Sequence, residues 1–393
     1  MTKKVVVAGV GMIPLRKPTA SASYVVMGAQ AARLALADAR AGYESMQQAF
    51  VGYVHGDSTA GQRVLYDLGF TGIPIFNTRN GGASGSSALW MARQAIASGE
   101  ADIALALGFE QLNPGAPQAQ FANRPSPLEP SFAQCDPRAG GIDIPPALRI
   151  FGAAGLEHMK RFGTPLETFA KIRAKASRHA ANNPLAMSRN ILSPEQVLAD
   201  TPLWPGVMTR AMASAPACGA AAAVLCSEAY ARQYKLDSRI WIAGQAMTTV
   251  GSKALPGVDA SDGASYSMSR AAARSVYEQA GIGADDLDVV ELHDCVAHNE
   301  LLSYESLDLC PEGGAQKFVD SGNNTYGGRY VVNPSGGLLG RGHALGATGL
   351  AQCFELVQQL RGQAGKRQVE GARIALQHNV GIGGAAVVTM YRN

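Results

Sequence analysis

The chain contains one strand–glycine–helix unit twice, and this internal repeat is the strongest constraint on how it can fold. Residues 5–12 and residues 240–247 are both apolar runs, rich in β-branched side chains, that pass through an Ala-Gly pair. Residues 82–85 and residues 346–349 are both small-residue segments that lead into a helical apolar pattern and then a strand. Strands that alternate with helices are typical of mainly parallel sheets with right-handed crossovers. The repeat therefore predicts an α/β fold built from two similar halves.

The predicted halves meet near residue 237, so that residues 1–237 and residues 238–393 form one half each. Inside the first half, residues from about 113 to 206 break the strand–helix rhythm, because they contain eight prolines between positions 114 and 146 and then a helical tract. Insertions of this length are uncommon without a role. We expect this segment to cover a bound substrate, although a plain surface excursion would have the same composition.

The composition indicates a folded α/β enzyme. Hydrophobic residues make up 47% and charged residues 17% of the 393 positions, and the 45 glycines fit a fold with many tight turns. The net charge is only +3 and lysines and arginines do not cluster, so no nucleic-acid-binding surface is indicated. No apolar run approaches the ~18 to 20 residues of a membrane-spanning helix, so we expect no membrane span.

The cysteines and the termini suggest a reducing compartment. Six cysteines are spread along the chain without a Cys-x-x-Cys pair, so the sequence predicts neither a disulfide framework nor a metal site. The first apolar run is too short for a signal peptide, and the last three residues are not a peroxisomal address. We therefore expect a cytoplasmic location.

Residues 80–88, Asn-Gly-Gly-Ala-Ser-Gly-Ser-Ser-Ala, have the form of a strand-to-helix turn that carries a catalytic thiol, but they contain no cysteine. An apolar strand precedes this turn and a helical pattern follows it. Unpaired backbone N–H groups at the start of a helix favour an oxyanion or a thioester carbonyl. The segment therefore predicts a binding turn for an anion or a carbonyl oxygen, with no nucleophile in it.

Three further motifs make a family resemblance recognisable. They are His293-Asp294-Cys295-Val296 followed by Asn-Glu, Asn-Pro-Ser-Gly-Gly at 333–337, and Gly-His-Ala-Leu-Gly-Ala-Thr-Gly at 342–349. Together with Gln-His-Asn-Val-Gly-Ile-Gly-Gly at 377–384 they make the whole chain resemble the sterol-carrier-protein-type thiolases. The resemblance implies the duplicated five-layered αβαβα thiolase fold with an inserted loop domain, and an acyl-CoA as the substrate.

The resemblance also implies roles for individual residues. Gly82 stands where these enzymes carry the cysteine that accepts the acyl group, so the nucleophile position is lost. His293 matches a histidine of the oxyanion hole, and Cys295 matches the second acid or base. His343 matches the histidine that activates the cysteine, and a neutral imidazole can accept a proton near pH 7. His378 resembles part of the final catalytic loop.

Binding contacts and partners follow from the same resemblance. It implies that Ser335, Gly336 and Gly383 contact coenzyme A, and that no cofactor is bound covalently. Val296 replaces the usual phenylalanine and is expected to change the wall of the acyl pocket. Related enzymes are dimers or tetramers, so we expect a homodimer or homotetramer, and some relatives work with a small zinc-ribbon and OB-fold partner.

Four functions remain open at this point. The first is a degenerate thiolase that acts on the carbon–carbon bond near a CoA thioester, for example by retro-aldol cleavage of a 3-hydroxyacyl-CoA. The second is a 3-oxoacyl-CoA thiolase (acetyl-CoA C-acyltransferase) whose cysteine was replaced artificially by Gly82. The third is a non-catalytic acyl-CoA or lipid-binding subunit, against which the retention of His293, Cys295 and His343 argues. The fourth is acyl transfer to an acceptor other than CoA.

Overall fold

The computed structural model describes residues 3–114, 123–126, 128–129, 144–251 and 264–393. Most of the proline-rich part of the predicted insertion lies outside these ranges. The strands, in chain order, are β1 Val5–Met12, β2 Gln48–Gly52, β3 Ile75–Thr78, β4 Ile103–Glu110, β5 Pro202–Trp204, β6 Met208–Thr209, β7 Gly219–Ser227, β8 Trp241–Thr248, β9 Val289–Glu291, β10 Val331–Val332, β11 Ile374–Gly381 and β12 Ala385–Arg392.

Helices follow or connect these strands. In chain order they are α1 Tyr24–Ala39, α2 Ala60–Leu65, α3 Ser84–Ser98, α4 Pro146–Phe162, α5 Leu166–Ala181, α6 Pro194–Leu198, α7 Glu228–Tyr234, α8 Tyr266–Ala280, α9 Ala297–Ser306, α10 Ala315–Asp320, α11 Gly337–Gly340 and α12 Thr348–Leu360. No helix in the described part of the chain is both long enough and apolar enough to cross a bilayer.

The strand order confirms the duplication predicted from the repeat. Ten strands form one sheet in the order β10-β9-β11-β12-β8-β1-β7-β4-β2-β3. Reading outward from the central β1–β8 pair gives β1-β7-β4-β2-β3 in one direction and β8-β12-β11-β9-β10 in the other. Each strand of the first half therefore has an equivalent in the second, and the repeated sequence units occupy equivalent places.

The prediction of mainly parallel sheets is wrong. In each half the two outer strand pairs are parallel, whereas β4 pairs antiparallel with β7, and β11 pairs antiparallel with β12. The central β1–β8 pair is antiparallel as well. The reason is local, because β12 returns from β11 through a tight turn and β7 returns from the long excursion that follows β4. Neither connection is a strand–helix–strand crossover.

Five layers result from the way helices cover these strands. The helices α3 and α12 contact each other and contact strands of both halves, so they form the middle layer. On the outer faces, α1 packs on β1 and β7, and α8 packs on β8 and β12. The αβαβα arrangement predicted from the motifs is confirmed.

The described helices of the insertion are tied to the second half by buried polar contacts. His158 on α4 lies 2.9 Å from the carboxylate of Glu305 on α9, with Nε2 facing the oxygen. Lys175 on α5 forms an ion pair with Glu300, also on α9, and both side chains are buried. Because such groups are costly to bury unpaired, these contacts hold the insertion against the sheet edge at which β9 ends.

Gly346, at the start of the middle-layer helix α12, is in direct backbone contact with the first half. A Cβ atom at this position would lie 2.2 Å from the carbonyl oxygen of Phe109. The Gly346 N–H donates to Glu110 Oε2 at 2.9 Å, and the other oxygen of this buried carboxylate accepts from the His55 N–H at 2.8 Å. Only glycine allows the two halves to approach this closely.

We expect Gly346→Ala to lower the free energy of unfolding by about 2 to 3 kcal/mol, because the methyl group must displace backbone. Equilibrium urea unfolding measures the change. Gly283→Ala is the matched control, since its φ is −103° and a Cβ there meets nothing within 4 Å. It should change stability by less than about 0.5 kcal/mol. Equal stabilities for the two variants would contradict the packing described.

Candidate functional site

The turn before α3 places Gly82 at the end of β3 with its backbone exposed to a cavity. Gly81 has φ 53°, in the left-handed region that glycine adopts without strain. The hydroxyl of Ser84 donates to the Gly81 carbonyl at 2.7 Å and accepts from the Asn80 N–H at 2.9 Å. These bonds close the turn without any side chain at position 82.

A cavity of about 400 Å³ opens over Gly82. Among the described residues, its polar lining side chains are Ser214, His293, Cys295 and His343, and the other lining residues are apolar. The apolar residues come from the insertion and the residue before it, from the loops after β9 and before α12, and from the end of β11, and include Leu112, Leu128, Leu148, Phe151, Val296, Leu345, Val380 and Ile382. Val296 thus forms part of the wall, as its place in the motif predicts.

Two histidines face each other across Gly82. His293 follows β9 and His343 precedes α12, and their ring centroids lie 5.2 Å apart with an interplanar angle of 88°. A Cβ atom on Gly82 would lie 2.9 Å from His293 Cε1 and 3.3 Å from His343 Cε1. It would also lie 2.8 Å from the Val380 carbonyl oxygen. The structure therefore brings the predicted residues together and leaves no space for a larger side chain at position 82 without a shift.

The hydrogen bonds of His343 leave its Nε2 atom as a base. Its Nδ1 lies 2.9 Å from Thr348 Oγ1, and the Thr348 hydroxyl donates its own proton to the Ala344 carbonyl at 3.0 Å. Thr348 Oγ1 must therefore accept from Nδ1–H, which leaves a lone pair on Nε2. Burial, and then the positive charge of Arg341, lower the pKa of His343 to about 3. The ring is neutral at pH 7.

His293 is neutral for the same reason. Burial lowers its pKa well below 6.5, and the neighbouring His343 and His378 lower it further. Its Nδ1 lies 2.8 Å from Asn379 Nδ2. Two uncharged imidazoles in an apolar cavity can polarise a carbonyl oxygen and move a proton without a fixed ion pair.

Cys295 and Asp294 have different roles although they are adjacent. Cys295 lines the cavity, and burial raises the pKa of its thiol above the usual value, so it stays protonated. Asp294 points away and accepts from the backbone N–H groups of Leu338 at 2.7 Å and Leu339 at 3.3 Å. Asp294 thereby anchors the loop that carries His293 and Cys295 to α11.

His378 does not face the cavity, and it lies inside β11 and not in a catalytic loop as the resemblance implies. Side chains alternate along a strand, so His378 and its neighbour Asn379 point to opposite faces. The His378 Nε2 atom lies 2.9 Å from Ser269 Oγ on α8, and the side chain is buried. The geometry gives no support to a catalytic role for His378.

Of the three residues predicted to contact coenzyme A, two lie away from the cavity and one borders it. Ser335 and Gly336 are buried away from the cavity. The Ser335 hydroxyl donates to Glu291 Oε2 at 2.9 Å, and a Cβ on Gly336 would lie 2.5 Å from Ala180 Cβ. Their polar groups and surfaces are thus used inside the fold, which does not match a role in binding coenzyme A. Gly383 lies next to Ile382, and a Cβ there would lie 3.0 Å from Leu128 Cδ2, so it borders the cavity.

Two polar residues that contact the histidines were missed from the sequence, Asn379 and Thr348. Both lie inside quoted motifs. For Asn379, alternation along β11 could have shown that it shares a face with Gln377 and that His378 does not. No group of three or more His, Cys, Asp or Glu side chains within the described ranges could hold a metal ion.

The chain matches two protein-family models, the thiolase N-terminal domain over residues 5–128 and the thiolase C-terminal domain-like family over residues 257–391. It is 48% identical over 394 residues to sterol carrier protein 2 of Homo sapiens, covering 99% of this chain and 72% of that protein. It is 33% identical over 387 residues to benzoylsuccinyl-CoA thiolase subunit BbsB of Thauera aromatica, covering 98% of this chain and 96% of that protein.

A solved structure titled Ltp2-ChsH2(DUF35) aldolase has a TM-score of 0.83 with 20% identity, covering 100% of this chain and 98% of that chain. At this identity the likeness shows the shared fold alone. The two domain matches and the similarity to sterol carrier protein 2 together show that the chain belongs to the thiolase family, in the branch that contains sterol carrier protein 2.

Proposed function

We propose that this chain binds an acyl-CoA and cleaves the Cα–Cβ bond near the thioester through an enolate, by retro-aldol cleavage of a 3-hydroxyacyl-CoA. One observation carries the proposal. Gly82 lies between His293 and His343, so the groups that polarise a carbonyl and move a proton are present, while position 82 offers no atom that could accept an acyl group. The aldolase title of a structural neighbour supports the same chemistry on this fold.

The net result of the proposed reaction is the transfer of one proton from the 3-hydroxyl group to Cα as the Cα–Cβ bond breaks. His343 Nε2 takes the proton of the 3-hydroxyl group, the C–O bond becomes a carbonyl, and the electron pair of the Cα–Cβ bond passes to the thioester as an enolate. His293 donates a hydrogen bond to the enolate oxygen. The Cys295 thiol then protonates Cα, and the His343 imidazolium returns its proton to the sulfur. The products are a shorter acyl-CoA and an aldehyde or ketone.

The environment of the cavity favours this step. A hydrogen bond to a developing oxyanion is worth more in an apolar, water-poor site than in water. Because the pKa of Cys295 is raised, the thiol is a proton donor and not a standing nucleophile. Among the described residues, no charged side chain lines the cavity, so we propose that the part of the acyl group held there is uncharged.

The artificially altered thiolase is the less favoured alternative. A cysteine at position 82 would bring its Cβ within 2.8 Å of the Val380 backbone carbonyl, which a thiolase of this geometry would have to move aside.

As further parts of the proposal, the chain acts in the cytoplasm as a homodimer or homotetramer. A small zinc-ribbon and OB-fold protein is a candidate partner, since one structural neighbour carries DUF35 in its title and one relative is named a subunit.

The direct test is incubation with a series of 3-hydroxyacyl-CoA thioesters, with separate detection of the shorter acyl-CoA and of the aldehyde or ketone. The proposal predicts equal amounts of both products, formed without free CoA. Cleavage of 3-oxoacyl-CoA that requires free CoA would support a thiolase instead. Tight acyl-CoA binding with no turnover of any substrate would support the binding subunit.

Replacing the base should abolish most of this turnover. We expect His343→Gln to lower kcat by about 10²-fold to 10⁴-fold, because glutamine keeps the size of the ring but cannot accept the proton. The same product assay measures the loss. His378→Gln is the control, since His378 is a buried histidine that does not face the cavity. A similar loss in both variants would contradict the assignment of His343 as the base.

The rate should not depend on pH in the range where an ordinary histidine titrates. The pKa of His343 is lowered to about 3, so the base is already deprotonated above that value, and the raised pKa of Cys295 keeps the acid protonated. We expect kcat/KM to stay level from about pH 5 to about pH 8. Circular dichroism at each pH provides the folding control. A decline in rate below about pH 6.5 would assign the base to an unperturbed imidazole.

A further inference from the structure

The position of the ring proton of His293 decides what this residue can do. A neutral imidazole has one N–H group, and its other nitrogen offers a lone pair. With the proton on Nε2, the ring can donate to an enolate oxygen. With the proton on Nδ1, the Nε2 lone pair would repel that oxygen. The surrounding hydrogen bonds determine which form is present.

A buried chain of hydrogen bonds leads to His293 from α12 and β12. It begins at the backbone carbonyl of Gly349, which can only accept. Gln377 Nε2 lies 2.7 Å from that oxygen, so the amide nitrogen of Gln377 faces it. The Tyr391 hydroxyl donates to Gln377 Oε1, which agrees with this orientation. Because the Gly349 carbonyl can only accept a hydrogen bond, it fixes the orientation of the Gln377 side-chain amide.

The chain of hydrogen bonds continues from Gln377 through Ser86 on α3 to Asn379. Gln377 Nε2 also donates to Ser86 Oγ at 2.8 Å, so the Ser86 hydroxyl proton is available for another acceptor. That acceptor is Asn379 Oδ1, 2.8 Å away. Asn379 must then present Nδ2 to His293, whose Nδ1 lies 2.8 Å from it. Because Nδ2 can only donate, His293 Nδ1 accepts, and the ring proton lies on Nε2.

We infer that Asn379 is a positioning residue that holds His293 as the Nε2–H tautomer and so makes its free nitrogen a permanent hydrogen-bond donor. Ser86, Gln377 and Asn379 are each 0% exposed, so water cannot take the place of a missing partner. Thr348 holds His343 in the opposite tautomer. Two histidines that face the same glycine are thereby given different tasks.

The role of His293 as a donor to an enolate oxygen rests on the proposed function, whereas the assignment of its tautomer does not. The titratable groups near His293 are His343 and His378, both of which lower its pKa, and the adjacent Asp294 and Cys295. The side chains that hydrogen-bond to Asn379, by contrast, are the uncharged Ser86 and His293 itself. In the described part of the chain, His293 is therefore the titratable group that would respond to a charge introduced at position 379.

The tautomer can be read directly by ¹⁵N NMR of the full chain labelled in its histidines, with His293→Gln identifying the signals of His293. Protonated and unprotonated ring nitrogens have well-separated shifts, so the readout needs no substrate. We expect Nδ1 in the unprotonated range and Nε2 in the protonated range. A proton on Nδ1, or rapid exchange between both nitrogens, would overturn the inference even if the protein were an active aldolase.

Asn379→Asp should convert a level pH profile into one that falls with rising pH. The carboxylate accepts from Nδ1, which leaves Nε2 bare at pH 8, and removing one oxyanion donor costs on the order of 100-fold in kcat. The same carboxylate raises the pKa of His293, so as the pH falls below that pKa both nitrogens carry protons and activity should return. Loss of activity by the same factor at every pH would indicate a structural role and contradict the inference.

Asn77→Asp is the control for replacing a hydrogen-bonded asparagine by a carboxylate. Asn77 lies half-buried on β3, and its Oδ1 accepts from the Gly61 N–H at 2.9 Å, a bond that aspartate keeps, whereas the bond from Asn77 Nδ2 to Gln62 is lost. It should retain the parent rate and the parent pH profile. If circular dichroism shows that Asn379→Asp does not fold, the NMR measurement on the unaltered chain still tests the His293 tautomer. Absence of any turnover together with the Nε2–H tautomer would reject the proposed function and keep the inference.

Discussion

The close backbone contact between the two halves is the constraint on which the rest of the structure depends. Gly346 has no side chain, so the start of α12 lies directly against the strands of the first half, and Glu110 accepts from the Gly346 N–H. The contact brings the loop that carries His343 to the turn that carries Gly82. Each half alone supplies part of the site, and only their tight packing makes one cavity from both.

Buried polar groups then hold the individual loops in register. Asp294 binds two backbone N–H groups at the start of α11, while Glu291 binds Ser335 and the guanidinium of Arg341. Burial raises the pKa of Glu291 to about 7 despite the opposing charge of Arg341. Because these polar groups are already hydrogen-bonded to one another inside the fold, the Ser335 hydroxyl stabilises the loop and does not face the cavity.

Much of the fold could be predicted because its signals are local. The repeated strand and glycine patterns predict the two halves, and the family resemblance that the motifs carry implies the five layers. The prediction of strand direction was wrong. The direction of a strand depends on where the chain re-enters the sheet after a long connection, and no local sequence pattern indicates that position. At the site, Gly82, His293, Cys295 and His343 could be singled out because each lies in a recognisable motif in a loop between two elements. His378 was misplaced because β11 extends further than expected and the side-chain alternation reverses its face.

The roles of Asn379 and Thr348 could not be predicted from sequence, because they come from contacts between distant segments. Ser86 and Asn379 are 293 positions apart, yet their side chains share a hydrogen bond. In the proposed reaction, these partners make one imidazole a hydrogen-bond donor and the other a base.

Intact-protein mass spectrometry during turnover tests the central claim most directly. The protein is mixed with a 3-hydroxyacyl-CoA that it cleaves, and with the corresponding 3-oxoacyl-CoA, and is quenched in acid at several times. The account predicts products from the first substrate while the protein keeps its unmodified mass throughout. An acyl adduct that forms and decays at the rate of product formation would contradict it.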